Sequence, residues 1–187
     1  IDSEHLHDIA ANMSGEDMAS LDSDSAKGVF DTLGADQALE LEGSQVAGML
    51  GAMDHDQIAD MGEDVAVKAF EAMGTEGALT MDGDSMSGML DAMGSEHISE
   101  IDSEHLHDMT ANMSGEDMES MDADSAKGMF DTLGEENVEK LEGSQVGGML
   151  DAMGSEHISE IDSEHLHDMT ANMSGEDMES MDADSAK

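Results

Sequence analysis

The sequence contains no cysteine, proline, arginine, tryptophan or tyrosine, and only three phenylalanines among its 187 residues. The lack of cysteine excludes disulfides, zinc–thiolate sites and thiol nucleophiles. No apolar run approaches the ~18 residues of a membrane span and no signal-peptide pattern opens the chain, so we expect no membrane insertion. Five lysines against 47 acidic side chains leave a formal charge of -42. A polyanion of this kind is not expected to bind nucleic acid.

The order of the residues reveals a repeat that the composition hides. Leu, Ile, Val and Phe make up only about 16% of the chain, which by itself is typical of a disordered protein. Yet the sequence aligns without gaps when it is cut every 20 residues, and residues 88–127 recur letter for letter as 148–187. We therefore predict one continuous repeat array over 1–187 and expect it to be part of a longer array. Its repeats begin at residues 1, 21, 41, 61, 81, 101, 121, 141, 161 and 181.

The apolar pattern within each repeat predicts two short helices. Positions 6, 9, 10 and 13 of a repeat are apolar, which is the spacing of one helix face. Acidic and small polar residues at positions 2 to 4, and again at 14 to 17, are typical of helix starts. Position 14 is glycine in five repeats, as expected where a helix ends. The pattern predicts an all-α fold, an α-solenoid of 20-residue two-helix repeats that forms a superhelical rod.

Two stretches, GSQVAGMLGAMDHDQIAD (43–60) and DSMSGMLDAMGSEHISE (84–100), carry a family resemblance. In both, a helix of the form apolar-apolar-x-x-apolar is followed by a second acidic helix start. This arrangement resembles the superhelical N-terminal domain of MgtE-type magnesium transporters and is similar to other HEAT-like or armadillo-like solenoids. The resemblance implies right-handed stacking of short helices. It carries over no functional residue and no transport activity.

The acidic turns are the candidate metal sites. Carboxylates alternate with other residues at positions 2 and 4, and a second acidic turn lies at positions 16 and 17. Ca²⁺ takes six to eight oxygen ligands in flexible geometry, so we predict it as a cofactor and expect no organic one. The alternative is that these acids only cap helices. The candidate ligands are Asp22, Asp24, Asp82, Asp84, Asp122, Asp124, Asp182, Asp184, Asp102, Glu104, Glu116 and Asp117.

Three other residue types have structural interpretations. His5 and His7 are two residues apart, so on a helix they point to different faces, which favours hydrogen bonding over a transition-metal site. Most methionines fall on the predicted buried face and are interpreted as core. Glycine recurs at position 8, where it is expected to allow helices to approach closely rather than to bind phosphate. The glycines are Gly28, Gly48, Gly88, Gly128 and Gly148.

The repeats favour a structural role. Near-identical units seldom build one asymmetric catalytic pocket, so we predict that the protein is not an enzyme. We predict an extended acidic component of a filament, sheath or matrix at the cell surface or outside the cell. It would self-associate with divalent cations between the rods. The alternative is a solenoid that binds cations or a basic protein, as a calcium buffer or mineral-matrix protein. The cytoplasm of a halophile is the alternative location.

Overall fold

A computed structural model describes residues 2–171 and 173–181 of the chain. Helices account for most of this part, which contains no β-strand, so the all-α prediction is confirmed. The chain divides into two compact units, Ile1–Met93 and Gly94–Lys187. In the first unit the helices are α1 (Ser3–Ala10), α2 (Gly15–Ala19), α3 (Ser23–Leu33), α4 (Ala35–Ala38), α5 (Gly43–Leu50), α6 (His55–Ala59) and α7 (Glu63–Ala78).

The boundary between the compact units falls within α8 (Gly83–Ile98), at the glycine that kinks it. None of the helices over the described residues is long and apolar enough to span a bilayer. The second unit continues with α9 (Ser103–Thr110), α10 (Gly115–Glu119), α11 (Ala123–Val138), α12 (Gly143–Ile158), α13 (Ser163–Thr170) and α14 (Gly175–Ser180).

Position 14 of the repeat separates a longer helix from a shorter one in two ways. Where it is glycine, its backbone φ lies between 65° and 74°. Residues that carry a Cβ atom rarely adopt this backbone conformation. Where it is serine or aspartate, that residue is the N-cap of the next helix, as at Ser14, Asp54 and Ser114. The predicted helix break is confirmed at all five glycines, which are Gly34, Gly74, Gly94, Gly134 and Gly154.

The core of each unit is built largely from methionine. Met49, Met89 and Met149 at position 9 are fully buried, as are Met18 and Met118 at position 18. Flexible thioether side chains fill the irregular gaps between short helices that carry few large aliphatic residues. The prediction that these methionines form the core is confirmed for the described residues.

Candidate functional site

The aspartates at position 2 cap their own helices. Asp22 accepts hydrogen bonds from the Ser25 backbone N–H at 3.0 Å and from the Ser25 hydroxyl at 2.8 Å. Asp122 accepts the same pair of hydrogen bonds from Ser125, at 2.8 and 2.9 Å. These bonds satisfy donors that a helix start leaves without partners. The position-2 carboxylates therefore already have a structural role in the absence of any metal.

The remaining capping carboxylates follow the same rule. Asp82 accepts from the Ser85 N–H at 2.9 Å, and Asp102 accepts from the Glu104 N–H at 3.0 Å. Asp117 forms a capping box with Ser114, in which each side chain accepts from the other residue's backbone N–H. Glu116 lies beside it in the first turn of α10. Carboxylates in these first turns also interact favourably with the helix dipole.

The described carboxylates at position 4 have different surroundings from the caps at position 2. Asp24 is exposed, whereas Asp84 accepts a hydrogen bond from the His55 N–H at 3.1 Å. Asp124 lies 3.3 Å from the Nε2 atom of His157. Over the described residues, no three His, Asp or Glu side chains are grouped so that they could hold a metal ion. Glu104 is exposed in the first turn of α9. Calcium binding at the acidic turns stays a prediction, and the candidates Asp182 and Asp184 lie outside the described residues.

The cap at Asp22 should make stability depend on pH. Hydrogen bonds from the Ser25 hydroxyl and backbone N–H lower the pKa of the exposed Asp22 carboxyl below 3.8. A lowered folded-state pKa contributes stability above the unfolded-state value that is lost as the pH falls through the folded-state value. We therefore expect Asp22→Ala to lower the urea midpoint at pH 7 and to matter progressively less below pH 3.8.

Asp24→Ala is the control for this prediction, because it removes the same charge from an exposed position in the same helix turn. It should lower the midpoint at pH 7 less than Asp22→Ala does, because it keeps the cap and loses only the interaction with the helix dipole. Two results would contradict a capping role for Asp22. One is an equal drop in the urea midpoint for both variants, and the other is a drop for Asp22→Ala that is the same at pH 7 and at pH 2.

One close backbone contact recurs in both units and joins repeats that are two apart in the sequence. A Cβ atom added to Gly48 would lie 2.1 Å from the Gly15 carbonyl oxygen, and one added to Gly148 would lie 2.0 Å from that of Gly115. Gly88 faces the His55 backbone in the same way, with 2.6 Å to the carbonyl oxygen. Position 8 of one repeat thus packs on position 15 of the repeat two before it. The prediction that glycine at position 8 permits close helix approach is confirmed at these contacts.

A buried glutamine at position 5 holds the same contact together. The Gln145 amide donates to the carbonyl oxygens of Thr110 and Met113, both at 2.8 Å. Its own oxygen accepts from the backbone N–H of Glu142, which caps α12. Gln45 makes the matching bonds to the carbonyls of Ala10 and Met13. One side chain therefore caps the start of its own helix. It also donates hydrogen bonds to carbonyl oxygens at the end of a helix two repeats earlier.

Between repeats 3 and 5, Ser85 takes the place of the glutamines and donates to the Met53 carbonyl oxygen at 2.9 Å. His55 lies at position 15 of repeat 3, where its backbone faces Gly88. Its Nδ1 atom lies 2.8 Å from the Ser87 hydroxyl, and its Nε2 atom lies 3.3 Å from an Asp91 carboxylate oxygen. The Asp91 side chain is only 7% exposed and Ser87 is fully buried. This Ser–His–Asp arrangement joins repeats 3 and 5 through side chains that are buried or nearly so.

Sequence reasoning did not single out Gln45, Gln145 or His55. A signal for the glutamines was present, because position 5 is a polar residue beside the apolar run VAGML or VGGML. A polar residue beside a buried face is usually hydrogen-bonded, but its partner lies more than 30 residues away. That partner could not be read from local spacing.

A groove of about 570 Å³ runs along α2, α5 and α7 in the first unit. Small residues such as Gly15, Gly48 and Gly77 line much of it, and Glu16 and Glu76 are its charged side chains. The groove is therefore partly apolar and acidic, with no basic side chain in its lining.

Comparisons with protein-family models, with curated proteins and with solved structures find no match for this chain. The fold class therefore rests on the helices and their contacts. The MgtE-like architecture stays a prediction about how those helices stack.

Proposed function

We propose that the protein is a structural α-solenoid, an acidic rod that contributes to a filament, sheath or matrix. The observation that carries this proposal is the recurrence of one contact. Gly48 on Gly15 and Gly148 on Gly115 are the same contact 100 residues apart, and in both cases a position-5 glutamine hydrogen-bonds across it. A contact that repeats along the chain is the basis of a solenoid, in which each repeat is stabilised by its neighbours.

The charge of the chain supports a dependence on cations. A formal charge of -42 on 187 residues opposes both folding and the approach of a second copy. Salt screens such repulsion over a Debye length of about 8–10 Å at physiological ionic strength. Divalent cations would in addition bridge carboxylates on adjacent rods. We propose Ca²⁺ for this role, at the exposed acids of the helix starts, and an extracellular or cell-surface location.

The test is a comparison at matched ionic strength. Circular dichroism and light scattering would be recorded in NaCl, in NaCl with a few millimolar CaCl₂, and in NaCl with MgCl₂ as the control. We expect helix in all three once the charge is screened, and large particles with Ca²⁺ at lower protein concentration than with NaCl alone. If particles form equally in every salt, the specific role of Ca²⁺ is contradicted, while the proposal that the chains assemble still holds.

The groove along α2, α5 and α7 favours the second candidate, a module that binds cations or a basic protein. Glu16 and Glu76 would attract a basic segment, while the small residues between them would contact its apolar atoms. The same experiment separates the two candidates. A chain that binds many calcium ions weakly and stays monomeric at every concentration would support the binding module against the filament.

A further inference from the structure

One face of α5 lines the groove along α2, α5 and α7, and this α5 face carries no charge. Its residues follow the i, i+3, i+4, i+7 spacing of a single helix face, and none has a side chain larger than that of serine. They are Ser44, Ala47, Gly48 and, at the C-cap, Gly51. Every other full repeat carries at least one Asp, Glu or Lys at the same positions, which are 4, 7, 8 and 11. Repeat 3 therefore departs from the other repeats at the residues that line the groove.

A second missing side chain widens the same groove. Gly77 lies at position 17, where every other full repeat has Asp, Asn, Gln or His. It faces the α5 face, because a Cβ atom added to it would lie 3.3 Å from the Ala47 Cβ atom. Glycine is unfavourable inside a helix, so its use here is not explained by helix formation. Two positions that carry a side chain in the other repeats are thus glycine where they border this groove.

The charged side chains of the groove lie on either side of the α5 face. Glu16 belongs to α2 and Glu76 to α7, and α5 packs against both of these helices. Both carboxylates are exposed. Among the described residues, neither has a hydrogen-bond or ion-pair partner. An uncharged strip is thus flanked by two carboxylates that are available to cations.

We propose that this groove binds a basic segment of a partner protein. Small apolar residues of the segment lie on the α5 face, and its lysine or arginine side chains pair with Glu16 and Glu76. The volume of about 570 Å³ falls within the range of roughly 300–1,000 Å³ that is usual for binding pockets. The inference rests on the second candidate function, the binding module, and specifies its partner and its site.

Charge complementarity favours a basic partner over a second copy of this chain. A second copy brings a formal charge of -42 and only five lysines. Two of these lysines, Lys27 and Lys127, already pair with Asp31 and Asp131 of their own helices. A basic segment instead neutralises part of the repulsion within the chain when it binds.

The test is fluorescence anisotropy of a fluorescein-labelled ten-residue peptide of alternating lysine and alanine, titrated with the 187-residue chain in 0.15 M NaCl. We expect one saturable site per chain. Gly51→Gln should weaken binding by roughly tenfold, because the longer side chain occupies the groove. The double variant Glu16→Gln, Glu76→Gln should weaken it by about threefold or more through the loss of two ion pairs.

Matched controls separate the groove from the rest of the acidic surface. Ala111→Gln introduces the same side chain at position 11 of another repeat, also at an exposed C-cap. The double variant Glu96→Gln, Glu156→Gln removes the same charge from exposed residues at position 16. Both controls should bind like wild type. Gly51 has a φ of -65°, which residues with a Cβ atom adopt readily, so circular dichroism of Gly51→Gln should match that of wild type.

The outcomes distinguish this site from the binding module in general. If the groove variants and their controls weaken binding equally, or not at all, the peptide binds the acidic surface as a whole. The groove is then wrong as the site, while the binding-module candidate stands. If wild type does not bind the peptide, both the groove site and a basic protein as the module's partner are overturned.

Discussion

Gly148→Ala should lower the free energy of unfolding by about 2 kcal/mol or more. The new Cβ would lie 2.0 Å from the Gly115 carbonyl oxygen and 2.8 Å from its carbon, so the clash is with backbone that no side-chain rotation relieves. Better helix propensity would offset about 0.5–1 kcal/mol of this cost. Urea unfolding at a fixed salt concentration measures the difference.

The neighbouring residue provides a matched control. A Cβ on Gly147 would come no closer than 3.4 Å, to the flexible end of Met173, and the equivalent residue Ala47 already carries one. Gly147→Ala should therefore be neutral or raise the free energy of unfolding by about 0.5–1 kcal/mol. If both variants lose stability to the same extent, the close approach of α12 to α10, two repeats earlier, is not the reason that position 8 requires glycine.

Gln145→Leu should also cost about 2–3 kcal/mol, for a different reason. Leucine fits the volume but leaves the buried carbonyls of Thr110 and Met113 without their donor, and it removes the acceptor for the Glu142 N–H. An unsatisfied buried polar group costs about 1–3 kcal/mol, part of which the gain in apolar surface offsets. The measurement is again the urea midpoint, read together with the slope of the transition.

The control for this prediction is the same substitution at Gln37, whose Oε1 atom has no hydrogen-bond partner among the described residues. Gln37→Leu should leave the free energy of unfolding unchanged or raise it, because it removes a buried oxygen that has no partner. If Gln145→Leu likewise caused no loss, the bonds between repeats would contribute little.

The candidate site was only partly predictable from the sequence. The acids at Asp22 and Asp122 could be assigned to helix starts because capping acts over three residues. Asp84 and Asp124 could not be assigned, since their partners His55 and His157 lie about 30 residues away along the chain. The acid pairs at positions 2 and 4 stay a prediction as calcium ligands, because spacing along the chain does not say which distant residue each carboxylate contacts.

The amino-acid sequence by itself determined the local architecture. The period of 20 residues, the apolar spacing, the caps and the glycines at position 14 all act within one or two helix turns, so each could be read from neighbouring letters. Only the tertiary structure decided that position 8 meets position 15 of the repeat two before it, as Gly48 meets Gly15. The physical reason is that near-identical repeats present near-identical faces, so local pattern cannot distinguish one neighbour from another. The neighbour is set by backbone-to-backbone contact at glycine and by the glutamine bonds across it, whose partners lie more than 30 residues away.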